Sequence, residues 1–189
     1  MVLLAAAILA AAGVTVGLLV RNADQPLSGG PLYVGEPDAA AVFSSDEEVG
    51  ATVVWGSVVL RNTGASILTI RDVTLRAVGD ISGLRVEGMY FADMARHTGP
   101  LVSIPRQWPP ADEPPDNVRP VPGYVMEPRE QSPAGYYRLL VHFTVLKEGK
   151  WAFSGYTVRY EANGRTYVTG HDDGFRVCVP VSARCQGSS

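Results

Sequence analysis

Three histidines, His97, His142 and His171, are where this chain offers acid–base or metal chemistry near neutral pH. His171-Asp172-Asp173 places three hard or borderline ligands in a row, the donor types of a calcium or zinc site. Consecutive residues in a turn seldom converge on one ion, so a solvated turn is expected there. Met89, Met94, His97 and Met126 pair thioethers with an imidazole, a set that suits copper(I) outside the cytoplasm. Their spacing fits no metal motif, and methionine more often fills irregular gaps in a core. Asp112, Glu113 and Asp116 could do acid–base work if held about 5–10 Å apart in a pocket, yet they sit in a proline-rich run that reads as a solvated loop. His142 lies on the outward face of a strand pattern, where a surface or inter-sheet packing role is expected. Trp108, Tyr124 and Tyr90 offer rings for stacking on a glycan or peptide. Packing of the loop onto the domain competes for the same rings.

No G-x-S-x-G nucleophile turn and no G-x-x-x-x-G-K-[ST] phosphate loop occurs. An enzyme would need His97 or His142 to converge with acidic residues in a cleft. The expectation is therefore no catalytic residue, no cofactor and no metal.

The elements that position these residues begin with residues 2–20, a 19-residue run without one charge. As a helix it would be roughly 28 Å long, close to the ~30 Å bilayer core. It is expected to be a transmembrane anchor over 1–21 rather than a cleaved signal, because no basic n-region precedes it. Arg21 on its C-terminal flank by itself favours a cytoplasmic domain. A start further upstream with several Arg or Lys residues would reverse that, and the expected orientation puts the domain outside. Residues 22–50 carry Pro26, Pro31, Pro37 and Gly29-Gly30 and read as a flexible tether, with one short strand around Leu32–Val34.

Strand patterns occupy 51–180. Residues 52–61 are apolar on both faces, as in a strand buried on two sides. Asn62-Thr63-Gly64 signals a turn, and the inward set then shifts from Leu68 and Ile70 to Val73 and Leu75, which places a bulge or bend near Asp72. Ten of the fourteen prolines fall between Pro100 and Pro133, so 98–133 is expected to be an irregular insertion. Leu139, Val141, Phe143 and Val145 then alternate with Arg138, His142 and Thr144. Gly155 marks a second bulge, and Asn163-Gly164 closes a hairpin. Residues 181–189 read as a tail.

Net charge is −3 with no basic block, so nucleic acid is excluded as a partner on electrostatic grounds. Cys178 and Cys185 stand seven positions apart. Outside the cytoplasm they should form a disulfide, contributing about 2–2.5 kcal/mol on the chain-entropy account.

The run Val54-x-Gly56-x-Val58-x-Leu60-x-Asn62-Thr63-Gly64, with Leu68-x-Ile70 and Val73-x-Leu75, resembles the opening hairpin of bacterial Ig-like and fibronectin-III-like modules. Gly149-x-Trp151-x-Phe153 and Tyr156-x-Val158-x-Tyr160 before Asn163-Gly164 resemble their penultimate hairpin. The resemblance implies an adhesive, scaffolding or accessory role and carries over no catalytic residue. It departs from antibody-type domains, because both cysteines lie at the chain's end. The resulting expectation is an all-β, Ig-like antiparallel sandwich on a single N-terminal membrane helix. It would meet a membrane or cell-envelope protein through Trp108, Pro109, Pro110 and Tyr124, with copper or glycan binding as the alternative role.

Overall fold

The computed structural model describes residues 25–35, 42–97, 106–129, 135–183 and 185; the anchor expected over 1–21 lies outside them. Among the described residues no helix is long and apolar enough to cross a membrane. Twelve strands are described: β1 (Leu27–Ser28), β2 (Leu32–Val34), β3 (Val42–Asp46), β4 (Thr52–Asn62), β5 (Leu68–Val78) and β6 (Leu84–Asp93) precede the proline-rich region. Within and after it come β7 (Arg119–Pro120), β8 (Val125–Met126), β9 (Tyr137–Val145), β10 (Gly149–Ala162), β11 (Arg165–His171) and β12 (Gly174–Val179).

They form two sheets. One runs β1-β11-β10-β12-β3, with β5 on the other side of β10 and β8 beside β5; the second runs β2-β4-β9-β6-β7. The all-β sandwich expected of an Ig-like module is what the chain builds. Alternation drives it: on β9, Leu139, Val141 and Phe143 face the opposite sheet and are fully buried. Between the sheets Trp55 stacks on Phe175 at 5.3 Å, and Phe143 meets both Phe153 and Phe175. Each such ring contributes about 1.5–3 kcal/mol by leaving water.

Both bulges fall where the pattern put them. Arg159 and Tyr160 of β10 face Asp72 and Ile70 of β5, so Arg71 is the extra residue; the second slip, between Phe153 and Tyr156, brackets Gly155. Asn163 and Gly164 both take positive φ, as a two-residue hairpin turn requires.

Of the described residues in 22–50, β2 is the short strand expected around Leu32–Val34, whereas β1 and β3 are strands where only tether was expected. β1 pairs in parallel with β11, β2 antiparallel with β4, and β3 in parallel with β12. All three lie at sheet edges, where pairing needs backbone N–H and C=O groups more than apolar side chains. A reading based on side-chain hydrophobicity therefore undervalues β1 and β3. The expected tail is also tied down in part. Val181–Ala183 form a 3-10 turn, Cys178 and Cys185 are disulfide-bonded, and the Cys185 N–H donates to Asp46 Oδ1 of β3 at 2.7 Å.

Candidate functional site

Strand β4 is apolar on both faces because a third layer covers the outside of its sheet. Val54, Ala92 and Leu140 point away from the main core, yet each is fully buried, with Tyr90, Trp108 and Val118 packed on them. The covering side chains Trp108 and Val118 belong to the proline-rich region.

A buried polar network fastens this layer. Arg138, on the outer face of β9, is 0% exposed. Its Nε donates to the Gly56 carbonyl, at the point where the β4–β9 register slips. Its Nη1 lies 3.2 Å from Asp112 Oδ2 and 3.3 Å from Glu113 Oε1. The Glu113 carboxylate also meets His97 Nδ1 at 2.9 Å and accepts from Asn117 Nδ2 at 2.9 Å. Asn117 in turn bonds both the N–H and the carbonyl of Asp93. A carboxylate out of water needs such partners, since an isolated buried charge costs several kcal/mol. Of the acidic residues expected on a solvated loop, Glu113 is thus inside and Asp112 half-buried, because Arg138 and the 3-10 turn after β6 supply their counter-groups. Only Asp116 behaves as expected: it is exposed and pairs with Arg96 at 2.6 Å.

An enzyme required His97 to meet acidic residues in a cleft. The meeting occurs, but the His97 and Glu113 side chains are only 3% and 0% exposed. The pair thus lies within the packed outer layer. The copper set does not assemble around His97: Met89 and Met126 belong to the core between the sheets, whereas His97 is turned to Glu113 in the outer layer.

His171 departs from the solvated-turn expectation. It is buried, and its Nε2 lies 2.9 Å from Asp173 Oδ2, while Asp172 turns outward to pair with Arg76. The three residues do not converge. Among the described residues the grouping of His, Cys, Asp and Glu atoms at ligand spacing is Asp46, Cys178 and Cys185, whose two sulfurs are bonded to each other.

The four residues expected to touch a partner are placed unequally. Trp108 stacks on His142 at 4.7 Å and leans on Tyr90 at 4.4 Å; Pro110 is buried and Pro109 exposed. Tyr124 is half-buried against Phe91 and Tyr137. Burial, with the Asp93 charge nearby, pushes its hydroxyl pKa well up, so it stays neutral.

Loss of water under Trp108 lowers the His142 pKa, and Glu87 only partly opposes this. The unfolded chain then takes up the proton first, so stability falls as pH drops below about 6.5. The difference in urea midpoint between the native protein and His142→Gln is expected to shrink, in the native protein's disfavour, from pH 7.5 to pH 5. A difference that stays constant or grows contradicts this.

One flank of the sandwich is left open. The segment 119–126 crosses from β6 to β5: Val121 N–H bonds Met89, and Gly123 and Tyr124 bond Ile70. It seals half of the gap between the two sheets. The other half is an apolar groove of about 380 Å³ lined by Asp72, Val73, Val86, Met89, Tyr90 and Val121. Pattern reading missed this site, because β5 and β6 belong to different sheets and only their packing brings them together. The signal available was Pro120 and Pro122, which cannot extend pairing along the β6 edge.

No family model matches the chain, and no curated protein matches it. Among solved structures it is similar to PapD-like domain 7 of human CEP192, at 11% identity and TM-score 0.39, over 82% of this chain and 90% of that one. It is also similar to a family 123 glycoside hydrolase from Clostridium perfringens, at 13% identity and TM-score 0.37, over 77% of this chain and 27% of the enzyme. A third similarity is to AggA, the major subunit of aggregative adherence fimbriae type I from Escherichia coli, at 8% identity and TM-score 0.31, over 82% and 98%. The likeness is one of β-sandwich fold.

Proposed function

We propose that this chain is a non-catalytic interaction or accessory module, held at a membrane by residues 2–20 with its sandwich outside the cytoplasm. In this reading it serves a membrane or cell-envelope complex. The observation that carries the reading is the open flank: an apolar groove bordered by two strand edges that still have backbone groups to offer. Such edges take up an extended segment by main-chain pairing, with the groove receiving alternate side chains. The disulfide supports an oxidising compartment. The contact surface therefore moves from Trp108, Pro109, Pro110 and Tyr124 to the flank, since Trp108 and Pro110 already spend much of their surface inside the protein.

Photo-crosslinking of the full-length chain in its native membrane tests this. A benzophenone side chain at Val86, in the groove, is expected to capture a protein partner, whereas one at Gln107, beside Trp108, is not. Capture from Gln107 alone moves the contact back to the proline-rich face. No capture from either position overturns the reading.

A further inference from the structure

The border of the groove on β5 is an unfinished ladder. Ile70 closes one end, donating its N–H to the Tyr124 carbonyl at 2.8 Å and accepting from the Gly123 N–H at 2.9 Å. From Asp72 to Val78 no strand pairs on that side among the described residues. Exposed edges are commonly blunted with charged side chains, lysine above all, with proline or with a bulge. This stretch has neither lysine nor proline, and its bulge lies at the sealed end.

The charges along it read as a palindrome. In Asp72-Val73-Thr74-Leu75-Arg76 an acid and a base stand equally far from Thr74, on the face where Thr74 is exposed. Two such strands, antiparallel about a two-fold axis at Thr74, set Asp72 opposite Arg76 twice and Val73 opposite Leu75 twice. Opposite charges directly across a ladder are favourable, and an isologous contact of this kind closes on itself. Within the single chain each charge already has an opposite neighbour on its β10 side, and the β5 edge leaves the other side open. Asp72 faces Arg159 of β10 across the ladder. Arg76 gives Nη2 to Asp172 and the His171 carbonyl, while its Nε has no acceptor.

We infer that the β5 edge pairs with the β5 edge of a second copy of this chain, antiparallel and centred on Thr74, so that the sheet continues across a two-fold dimer. This rests on the interaction-module reading and names the partner at one border of its flank. Five paired residues per strand make a small interface. Association is therefore expected to depend on concentration and to be aided by confinement to a membrane.

The test is register-specific crosslinking of the full-length chain in membranes, with copper-phenanthroline as oxidant. Thr74→Cys lies on the axis and is expected to give a disulfide-linked dimer. Ala77→Cys, whose two copies would stand six residues apart along the ladder, is not. Adding Asp72→Arg to Thr74→Cys sets arginines across from each other and should cut the dimer at least about tenfold. Arg76→Asp in the same background should do likewise with aspartates. Mixing these two variants restores an acid–base pair on both sides of the axis and should restore crosslinking, which a misfolded variant could not do. Equal crosslinking at Thr74 and Ala77, no Thr74 dimer, or no rescue on mixing each overturns the inference. If Thr74→Cys instead links to a product heavier or lighter than a dimer, or if Val86 alone captures a different protein, the second-copy assignment falls while the interaction-module reading stands. Silence at both positions removes both.

Discussion

Replacing Arg138 with alanine is expected to cost about 3–5 kcal/mol, a third or more of the stability of an ordinary domain. The substitution strands Glu113, and in part Asp112, in a layer from which water is excluded. It also removes the donor that satisfies the Gly56 carbonyl. Both losses act at the seam between the proline-rich layer and the sheet, so that layer should detach first. Urea unfolding followed by Trp108 fluorescence should then show an early phase that is absent from the native protein. Pairing Arg138→Met with Glu113→Gln removes the charges from both sides and is expected to recover at least half the loss. The desolvation cost disappears together with the attraction. An Arg138→Ala variant within 1 kcal/mol of the native protein would show that the network does not hold the layer.

Gly155→Ala is expected to be nearly as damaging, at about 3 kcal/mol or more. Gly155 sits at the β10 bulge with φ +135°, where an L side chain is strained. A Cβ there would stand 2.0 Å from the His171 carbonyl oxygen and 3.0 Å from the Asp172 Cα. Both neighbours are backbone, so relief means moving the end of β11 away from β10. That movement also disturbs the buried His171–Asp173 pair. Gly170→Ala provides the internal comparison. Its Cβ would meet nothing nearer than 3.6 Å, so a cost below about 1 kcal/mol is expected. Thermal or chemical midpoints of the two variants decide the matter. Equal effects would mean that the bulge tolerates a side chain after all.

The two positions differ in how far the sequence announces them. Gly155 is legible because a bulge is a local event: the alternation of Trp151 and Phe153 breaks, and a glycine stands at the break. The shift near Asp72 and the Asn163-Gly164 turn are legible for the same reason. Arg138 is visible only as a polar residue on the outward face of a strand. Solvent would be its ordinary surroundings, and nothing local marks it as buried.

The apolar outer face of β4 did signal that something covers it. What covers it is a stretch whose prolines argue against regular structure but not against packing. Asp112 and Glu113 read as solvated because each taken alone is charged, and their partners on β9 and the turn after β6 are distant in sequence. The groove was hidden for a related reason, since its walls come from strands of opposite sheets.

The sequence by itself therefore determined the strands, turns and bulges of this protein, and that two faces of β4 had to be dry. Alternation, glycine and proline act within a few residues, and their effects can be summed along the chain. Tertiary structure decided which segment became the third layer, that β1 and β3 joined the sheets as edge strands, and which half of one flank stayed open. Those outcomes depend on where backbone donors and buried charges find partners across long separations, and no local pattern encodes that choice.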